Sequence, residues 1–400
     1  MSNPFESLMT VPRGAPIALC RQPDLGVWQL YTGVVDELTL PAGQTEGAWQ
    51  QLGDFLERHR DRLCAGWLGY DLGLDVEAWP LAIADDFPVP VLHVVAFDEV
   101  GEWVDGEVPP PPTVPAAGPL MAHVSRGDYE RRVAAVIEHI RAGDIFQANL
   151  TQPFTAEWDG DPRQLFWRLC AASPAPRAAY LEDGRGTSVL SSSPEEFLWR
   201  EGEVVRTKPI KGTRPRASDP IADVALLQEL IDSEKDCAEL AMIVDLMRND
   251  LGKLALKGTV RTSEFPQHAS YAQVHHLLAT VTARLPEGLP HAELLRATFP
   301  GGSITGCPKL RCLEIIESLE VARRGVYTGA IGNFGPGLRM SLNIAIRTVV
   351  HREGKIRANA GGAITALSDP ATEFEETLHK MAGIAKALQC EISVPEVASP

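Results

Sequence analysis

The stretch LRMSLNIAIRT, from Leu338 to Thr348, alternates strictly between two kinds of residue. One face carries Leu338, Met340, Leu342, Ile344 and Ile346, and the other carries Arg339, Ser341, Asn343, Ala345 and Arg347. A period of two is typical of a β-strand with one face in the core. The stretch therefore predicts a strand that buries its apolar face and presents Arg347 on a polar face.

Further segments before this strand predict both strands and helices. IFQANLTQPF (145–154) has a strand pattern, and TSVLSSSPEEFLWREGEVVRTKPI (187–210) predicts successive strands with a turn at Glu201-Gly202. DYERRVAAVIEHIRAG (128–143) predicts an amphipathic helix with Asp128 as N-cap. Helices and hairpins are mixed without regular βαβ alternation. We therefore expect an α+β fold, with large antiparallel sheets packed on each other and helices outside.

One change in composition suggests how the chain is divided. EVPPPPTVPAAGP, residues 107–119, has six prolines in thirteen residues, which favours an extended linker or surface strap. We expect residues 1–106 to form an N-terminal subdomain of the same fold. Residues 120–395 carry the motifs discussed below and are expected to form the catalytic region.

Charge and cysteine usage exclude several classes of function. The formal net charge is −16 and no long Lys/Arg run occurs, so nucleic acid is not an expected partner. No apolar run approaches the ~20 residues needed to cross a bilayer, so no membrane association is expected. The seven cysteines are scattered and include no CxxC pair, which indicates reduced thiols and a cytoplasmic location.

Two predicted helices, 233–252 and 368–388, each carry a pair of carboxylates at a spacing of three. Residues at this spacing are neighbours on a helix surface. Two such pairs facing each other would suit Mg²⁺, which prefers oxygen ligands. Solvated helix faces with local ion pairs explain the same pattern. The carboxylates are Asp236, Glu239, Glu373 and Glu376.

A glycine-rich turn in FPGGSITGCPKLRCLEIIESLE (299–320) leads into another predicted helix. Exposed backbone N–H groups at such a turn can bind an anion. The segment lacks the GK[ST] of a nucleotide-binding loop, so a carboxylate is the better ligand. A tight connection without any ligand remains the alternative.

Lys211, in KPIKGTRPR (208–216), is a candidate nucleophile. A lysine attacks carbon only as a neutral amine, and burial together with the cations Lys208, Arg214 and Arg216 would lower its pKa. A surface basic loop is the alternative. His276 and Glu195 are acid/base candidates, and no serine-hydrolase or zinc-protease motif occurs.

Ten motifs taken together resemble the chorismate-utilising enzymes, over about residues 125 to 390. In chain order they are GDIFQANLTQPF, SSSPEEF, PIKGTRPR, DCAELAMIVDLMRNDLG, VHHL, FPGGSITGCPKLRCLEIIESLE, YTGAIG, IAIRT, AGGAI and EFEETLHK. The resemblance implies an enzyme with the fold of anthranilate synthase component I.

The resemblance also assigns roles to individual residues. Glu239 and Glu376 match positions that hold Mg²⁺, with Asp236 and Glu373 supporting them. The positions that match contacts to chorismate are Arg347, Tyr327, Gly361, Gly362, Ser303 and Lys380. His276 matches the histidine near the C4 substituent of the ring, and Glu195 matches a general acid/base.

Lys211 distinguishes between branches of the family. PIKGT is typical of aminodeoxychorismate synthase component I, whereas anthranilate and isochorismate synthases usually have PIAGT. The resemblance therefore implies that Lys211 attacks C2 of chorismate, that ammonia then attacks C4, and that 4-amino-4-deoxychorismate forms for 4-aminobenzoate and folate synthesis. It also implies a separate glutamine amidotransferase as the source of ammonia, because no amidotransferase cysteine motif occurs in these residues.

Four other functions remain open at this point. Within the fold they are anthranilate synthase component I and an isochorismate or salicylate synthase. A pyridoxal phosphate enzyme with Lys211 as the Schiff-base residue would explain the lysine but not the carboxylates. A non-catalytic binding subunit is the last alternative.

Overall fold

A computed structural model describes residues 3–79, 83–263, 265–271 and 274–396. Its helices are α1 Pro4–Thr10, α2 Ala48–Arg58, α3 Arg126–Arg141, α4 Pro162–Ala172, α5 Pro220–Ile231, α6 Glu234–Gly252, α7 His291–Thr298, α8 Lys309–Leu319 and α9 Pro370–Leu388. Its first strands are β1 Ile17–Gln22, β2 Val27–Leu40, β3 Leu63–Leu68, β4 Leu92–Val104, β5 Leu120–Ala122, β6 Gln147–Glu157, β7 Arg177–Glu182, β8 Thr187–Ser193, β9 Glu196–Glu201 and β10 Val204–Lys208. The others are β11 Ile210–Pro215, β12 Arg261–Thr262, β13 Gln267–Ser270, β14 Val274–Leu278, β15 Val281–Arg284, β16 Gly306–Cys307, β17 Ala330–Gly335, β18 Arg339–Ile344, β19 Thr348–Arg352, β20 Lys355–Ile364 and β21 Ile392–Ser393.

Most strands belong to one long, folded sheet. Backbone pairing runs from β15 through β10, β9, β18, β17, β3, β4 and β2 to β1, and continues through β7, β8, β19, β20 and β6 to β5. These pairs are antiparallel, while the short β21 adds a parallel pair to β5. The strands before residue 106 therefore pair directly with strands that follow residue 120.

The two halves of this sheet pack face to face. Tyr31, Trp67 and Phe97 from one half meet Leu181 and Val189 from the other in a shared apolar core. Polar contacts join the same layers, since the side-chain amide of Asn343 on β18 donates to the backbone oxygen of Arg177 on β7. Helices α2, α6 and α7 contribute to a core on one outer face, and α4 and α9 to a core on the other. This arrangement is the predicted α+β architecture.

A second, smaller sheet of three strands contains β11, β14 and β13. It lies against α5 and α6, with both helices contacting β11. This small sheet carries two of the predicted catalytic residues, Lys211 and His276.

Local signals located two of three predicted helix starts. The sequence allows Asp232 or Ser233 as the cap of α6, and the cap is Ser233; Asp369 caps α9 with Pro370 in its first turn, as the sequence predicts. The predicted N-cap of α3 is wrong, because Ser125 accepts the capping hydrogen bond and Asp128 lies in the first turn.

The strand predicted over Leu338–Thr348 is too long. It covers Arg339–Ile344, and the chain then leaves the sheet, with Arg347 at φ +49°. Both faces are buried, since Asn343 and Ala345 are as inaccessible as Leu342 and Ile344. Other parts of the protein cover both faces of the sheet at this strand. An alternating sequence pattern does not reveal that the polar face is buried as well.

The proline-rich segment 107–119 forms no helix or strand and lies along the surface. The indole N–H groups of Trp158 and Trp167 donate to the backbone oxygens of Pro115 and Pro109. Val114 is buried in the apolar core to which α4 and α9 contribute. Separately, none of the helices in the described ranges is long and apolar enough to cross a membrane.

Candidate active site

A β-bulge in the small sheet positions Lys211 and His276. Gly212 adopts φ +70°, and the pairing of β11 with β14 shifts register between Lys211 and Thr213. The shift aligns Thr213 with His276, so their side chains meet at 2.9 Å. Lys211 therefore lies within a strand, and not just past a strand end as predicted from the sequence.

The amine of Lys211 is partly buried and forms no hydrogen bond or ion pair with any residue in the described ranges. Burial lowers its pKa, and the nearby carboxylates of Glu239 and Glu195 oppose this effect. The ammonium of Lys380 lowers the pKa further. Lys211 is thus a lysine whose neutral form is favoured by its surroundings.

The cations predicted to surround Lys211 are not the ones that affect it. Arg214 pairs with Glu229 at 2.8 Å and with Asp236 at 3.3 Å. Arg216 pairs with Asp223 at 2.8 Å. Carboxylates of α5 and α6 compensate the charges of these two arginines, so the sequence-neighbour argument for Lys211 was wrong, and Lys380 from α9 is the cation that lowers its pKa.

Glu195 is buried immediately before β9, with 6% of its surface exposed. Burial raises the pKa of its carboxyl to about 7, although a hydrogen bond from Ser303 and the charge of Lys211 lower it in part. A carboxyl with such a pKa is partly protonated near neutral pH and can deliver a proton. The glycine-rich turn that carries Ser303 thus meets the SSSPEEF motif.

His276 is buried, and burial lowers the pKa of its ring to about 4. Its Nδ1–H donates to the backbone oxygen of Gly212 at 3.3 Å, which leaves Nε2 as an acceptor. The charge of Arg347 also lowers its pKa, so the two side chains lie near each other.

The adjacent His275 has a different environment. Its Nδ1 lies 2.8 Å from Ser270 Oγ and its Nε2 lies 3.1 Å from Asp223 Oδ1. Both ring nitrogens are therefore engaged, and His275 braces the small sheet.

Three of the four predicted metal-binding carboxylates interact across α6 and α9. Burial raises the pKa of Glu239, and the negative charge of Glu376 adds to that increase. Burial would raise the pKa of Glu376 too, but Lys380 at 2.5 Å and Lys211 outweigh it and lower the value. The pKa of Glu373 is raised by burial and by Glu376.

The fourth carboxylate, Asp236, faces another part of the site. It accepts from Arg214, and a Cβ placed on Gly212 would lie 3.0 Å from its Cγ. Asp236 therefore packs under the bulge that carries Lys211, where it is closer to a supporting role than to a ligand position.

The Gly361-Gly362 pair of β20 lies beneath these carboxylates. A Cβ on Gly362 would lie 2.9 Å from Glu373 Oε2 and 3.4 Å from Glu376 Oε1, so only glycine leaves this space open. Lys380 donates to the backbone oxygen of Gly361 at 2.7 Å as well as pairing with Glu376. The glycines thus let α9 bring its charged face against the strand.

Arg347 and Tyr327 are the two remaining side chains predicted to contact the ligand. The guanidinium of Arg347 is half-buried, and within the described ranges it has no hydrogen-bond or ion-pair partner. Burial lowers its pKa, which is the response of a cation without a counter-ion. Tyr327 is 7% exposed, and burial raises the pKa of its hydroxyl.

The carboxylates of α6 and α9 fit a divalent cation that keeps part of its water shell. Across the described ranges, no cluster of three or more Asp, Glu, His or Cys side chains is close enough to enclose a metal ion. Mg²⁺ needs only one or two protein carboxylates when an anionic ligand completes its shell. Glu239 and Glu376 would supply these two ligands if the ion were bound: the charge of Glu376 raises the pKa of Glu239, and lysines partly neutralise both carboxylates.

Two residues near the carboxylates were missed from the sequence. Ser368 donates to Glu373 Oε1 at 2.7 Å, and the ammonium of Lys235 lies 3.9 Å from Glu239 Oε1. The i, i+4 spacing of Lys235 and Glu239 was a usable signal. No local signal links Ser368 to the side chain of Glu373.

Comparison with known proteins agrees with this geometry. The family model described as chorismate binding enzyme matches residues 16–386. The chain belongs to this family. Its members supply the relatives described next, and the match includes the strands before residue 106.

The chorismate binding enzymes similar to this chain carry two kinds of name. Aminodeoxychorismate synthase component 1 of Klebsiella aerogenes is 40% identical over 347 residues, covering 81% of this chain and 76% of that protein. The Salmonella typhimurium protein of the same name is 38% identical over 346 residues with the same coverage. An anthranilate synthase component 1 of Haloarcula marismortui is 36% identical over 367 residues, covering 81% of this chain and 75% of that protein.

A solved structure shares the fold. The crystal structure of anthranilate synthase component I from Streptococcus pneumoniae superposes with a TM-score of 0.76 at 24% identity. The superposition covers 90% of this chain and 92% of that one. This confirms the predicted anthranilate synthase component I-like fold.

Proposed function

We propose that this chain is an aminodeoxychorismate synthase component I, which converts chorismate and ammonia to 4-amino-4-deoxychorismate. The observation that carries the proposal is the amine of Lys211, partly buried, unpaired, and placed between Glu195 and Glu239. In an enzyme that adds water or ammonia directly to C2, a neutral lysine would serve as a general base, whereas here it is proposed to attack the ring itself. The relatives named aminodeoxychorismate synthase component 1 support the same conclusion.

The site suits a ligand with two carboxylates. Arg347 offers a guanidinium without a counter-ion at one end, and such a group pairs with a carboxylate in bidentate fashion. Glu239 and Glu376, supported by Glu373, would hold Mg²⁺ at the other end. When bound, the ion supplies positive charge for the second carboxylate of chorismate. Fixing the ligand at both ends orients its ring against Lys211.

The proposed reaction has two displacements. Lys211 Nζ forms a bond to C2, both ring double bonds shift, and the C4–oxygen bond breaks, so that the hydroxyl leaves as water with a proton from Glu195; the new secondary ammonium then loses a proton, which restores that of Glu195. Ammonia then forms a bond to C4, both double bonds shift back, and the C2–Nζ bond breaks, so that the proton lost by the bound ammonia balances the one that the released Lys211 amine takes up. Dividing one difficult substitution into two is the usual gain of covalent catalysis.

His276 suits a supporting role in this sequence. Its ring is neutral at physiological pH and its Nε2 is free to accept a hydrogen bond. It can therefore orient the C4 hydroxyl or accept the proton lost by the incoming ammonia. Glu195, with its higher pKa, remains the donor.

We further infer a partner and a cellular context. The name "component 1" of the relatives supports a second component, and a glutamine amidotransferase is the class of enzyme that supplies ammonia. The product would lead to 4-aminobenzoate and folate. All seven cysteines are free thiols, which supports a reducing compartment such as the cytoplasm.

Anthranilate synthase component I is the second candidate, because relatives of that name match at nearly the same identity. The two functions differ in the carbon that receives nitrogen. We therefore propose incubating the chain with chorismate, Mg²⁺ and an ammonium salt and separating the products by chromatography with mass detection. A C4-aminated product that keeps its enolpyruvyl group supports the proposal, whereas anthranilate or a hydroxylated isomer overturns it.

A further inference from the structure

A buried ion pair lies where α8 ends. The guanidinium of Arg324 donates to the carboxylate of Glu320 through both edges of the pair, Nη2 to Oε1 at 2.7 Å and Nε to Oε2 at 3.0 Å. Arg324 is 4% exposed and Glu320 is 8% exposed. Neither residue is among those proposed to touch chorismate, so the reaction itself leaves the pair without a role.

The remaining N–H groups of Arg324 hold separate segments of the chain together. Nη1 donates to the backbone oxygen of Ile304 at 2.8 Å and to Thr328 Oγ1 at 3.3 Å. Nη2 also donates to the backbone oxygen of Asn149 at 2.7 Å. The guanidinium carbon lies 4.6 Å from the ring centroid of Tyr70, as in a cation–π contact. All N–H groups of the guanidinium are therefore engaged, and Arg324 cannot shift without breaking hydrogen bonds.

Two of the segments that Arg324 holds carry residues proposed to bind chorismate. Ile304 directly follows Ser303 in the glycine-rich turn. Thr328 directly follows Tyr327, and the hydroxyl of Thr328 donates to the backbone oxygen of Tyr327 at 2.6 Å. One guanidinium therefore fixes the backbone beside both of these residues.

The carboxylate of the pair holds the strand that flanks the Gly361-Gly362 pair. Oε1 of Glu320 accepts from the backbone N–H of Thr151 at 2.9 Å and from its hydroxyl at 2.8 Å. Thr151 on β6 is paired with Gly361 on β20. The ion pair thus ties the glycine-rich turn to the β6–β20 pairing on which the charged face of α9 rests.

The glycine-rich turn also contacts Glu195, the proposed proton donor. A Cβ placed on Gly301 would lie 2.8 Å from Ile344 Cδ1, so the turn packs closely against Ile344. The backbone N–H of Ile344 donates to the backbone oxygen of Glu195 at 3.1 Å. From the same turn, Ser303 donates to the carboxyl of Glu195, and this hydrogen bond lowers the pKa that burial raises.

We propose that Arg324, held by Glu320, is a positioning residue that fixes the glycine-rich turn so that Ser303 keeps its hydrogen bond to Glu195. The inference rests on the proposed function, because it concerns the proton donor of that reaction. It extends the proposed function by assigning the placement of this donor to an ion pair outside the residues that touch the ligand.

Two further charges act on the carboxyl of Glu195. They are the ammonium groups of Lys211 from β11 and Lys380 from α9, and both lower its pKa. Replacing Arg324 by lysine removes none of these charges and keeps its own. A change in the titration of Glu195 in that variant therefore points to the turn and not to a lost charge.

The test measures the titration of Glu195 by ¹³C NMR in the full chain, labelled at the side-chain carboxyl of glutamate, with Glu195→Gln assigning the signal. Lysine lacks the planar fork that reaches several backbone oxygens at once. We therefore expect Arg324→Lys to raise the pKa of Glu195 by roughly half a pH unit or more, as the loss of one hydrogen bond would. Ser303→Ala should raise it as well, and the double variant should raise it no further than Ser303→Ala alone.

A second variant and a matched control accompany this measurement. Glu320→Asp keeps both charges but withdraws the carboxylate by one methylene, so it should move the titration in the same direction as Arg324→Lys. The control is Arg163→Lys. Arg163 is 1% exposed, pairs with Glu182 at 2.6 Å and donates to the backbone oxygen of Leu8 at 3.0 Å, where α4 meets α1. We expect the control to lose stability in urea as Arg324→Lys does and to leave the titration unchanged.

The inference is overturned if a folded Arg324→Lys or Glu320→Asp variant leaves the titration of Glu195 unchanged, or if Arg163→Lys moves it as far. It is also overturned if Ser303→Ala does not raise the pKa, if the effects of Arg324→Lys and Ser303→Ala add, or if neither variant of the pair folds, which would assign the pair to stability alone.

The pH dependence of kcat gives a second readout, since its alkaline decline should move to higher pH together with the carboxyl of Glu195. If the parent chain forms no C4-aminated product from chorismate, the proposed function fails. The titration of Glu195 in Arg324→Lys would still test whether the ion pair positions Ser303.

Discussion

At the scale of single residues, the surroundings of Glu195 and Lys211 change their ionisation in opposite directions. Burial raises the pKa of Glu195 to about 7 and lowers that of Lys211. Both shifts favour the uncharged form of the group, a protonated carboxyl and a neutral amine, more than water does. A general acid and a nucleophile need these two forms.

The pKa of Glu195 leads to a prediction about pH. Its carboxyl is protonated below about pH 7 and loses its proton above it, so the contribution of the acid should decline as the pH rises through that value. We expect Glu195→Gln to lower kcat by about 10²- to 10⁴-fold and to remove this alkaline decline. The measurement is a pH–rate profile with ammonium as nitrogen source, corrected for its ionisation.

Glu201→Gln provides a control for this prediction. Glu201 is the exposed last residue of β9, the strand that follows Glu195, and its substitution should leave the profile unchanged. An alkaline decline that persists in Glu195→Gln would assign the titration to another group.

At the scale of elements, β20 and α9 are fitted to each other at two adjacent glycines. A methyl group on Gly362 would meet carboxylate oxygens of Glu373 and Glu376. A methyl group on Gly361 would instead meet the backbone oxygen of Leu150 in the paired strand β6 at 2.0 Å. Gly362 therefore makes room for the carboxylates of α9, and Gly361 makes room for the backbone of the neighbouring strand β6.

Substituting these glycines should separate the two requirements. Gly362→Ala should raise the Mg²⁺ concentration needed for half-maximal activity, because the flexible carboxylates must move, and should cost little stability. Gly361→Ala should lower the free energy of unfolding by roughly 1–3 kcal/mol or more, since the backbone cannot give way as a side chain can. Urea unfolding and Mg²⁺ titration of activity measure the two effects, and equal loss of stability in both variants would contradict this assignment.

The elements also show what the sequence can predict. Caps at Ser233 and Asp369 and the strands around Glu201-Gly202 follow from local chemistry, so they were predictable. The bulge at Gly212 was not, because it depends on pairing with β14, more than sixty residues away. Ten motifs in order predicted the site residues, but the neighbours of these residues depend on contacts between α6, α9 and β11.

Long-range contacts explain the main error at the site. Lys211 was expected to be influenced by Lys208, Arg214 and Arg216, which are near in sequence. The fold pairs the two arginines with Asp236, Glu229 and Asp223, and brings Lys380 close instead. Charges that neighbour each other in sequence are therefore a poor guide to the electrostatics of a strand.

At the scale of the whole molecule, three buried histidines make stability dependent on pH. Burial lowers the pKa of His93 and His276 to about 4 and that of His291 to about 3. In each case the unfolded chain binds the proton more tightly. The stabilisation is therefore complete above about pH 6.5 and is lost as the pH falls toward the lower, folded value.

His291 allows this effect to be measured separately. It is 8% exposed, and its Nδ1 has no hydrogen-bond partner in the described ranges. Lowering the pH from 7.5 to 5.0 should reduce the free energy of unfolding of the parent chain. Because glutamine does not titrate, this reduction should be about 2 kcal/mol smaller in His291→Gln. Urea unfolding at both pH values measures this difference. The exposed control His379→Gln should show the same reduction in the free energy of unfolding as the parent chain. If His291→Gln also shows the parent's reduction, burial does not control the titration of His291.

The covalent role of Lys211 is tested most directly by giving the chain chorismate and Mg²⁺ without ammonia and measuring the mass of the intact protein. The account predicts an increase equal to chorismate less one water, located on the peptide that contains Lys211. The increase should be absent in Lys211→Ala and present in the exposed control Lys257→Ala. An adduct on another residue, or aminated product formed by Lys211→Ala at the rate of the parent chain, would contradict the account.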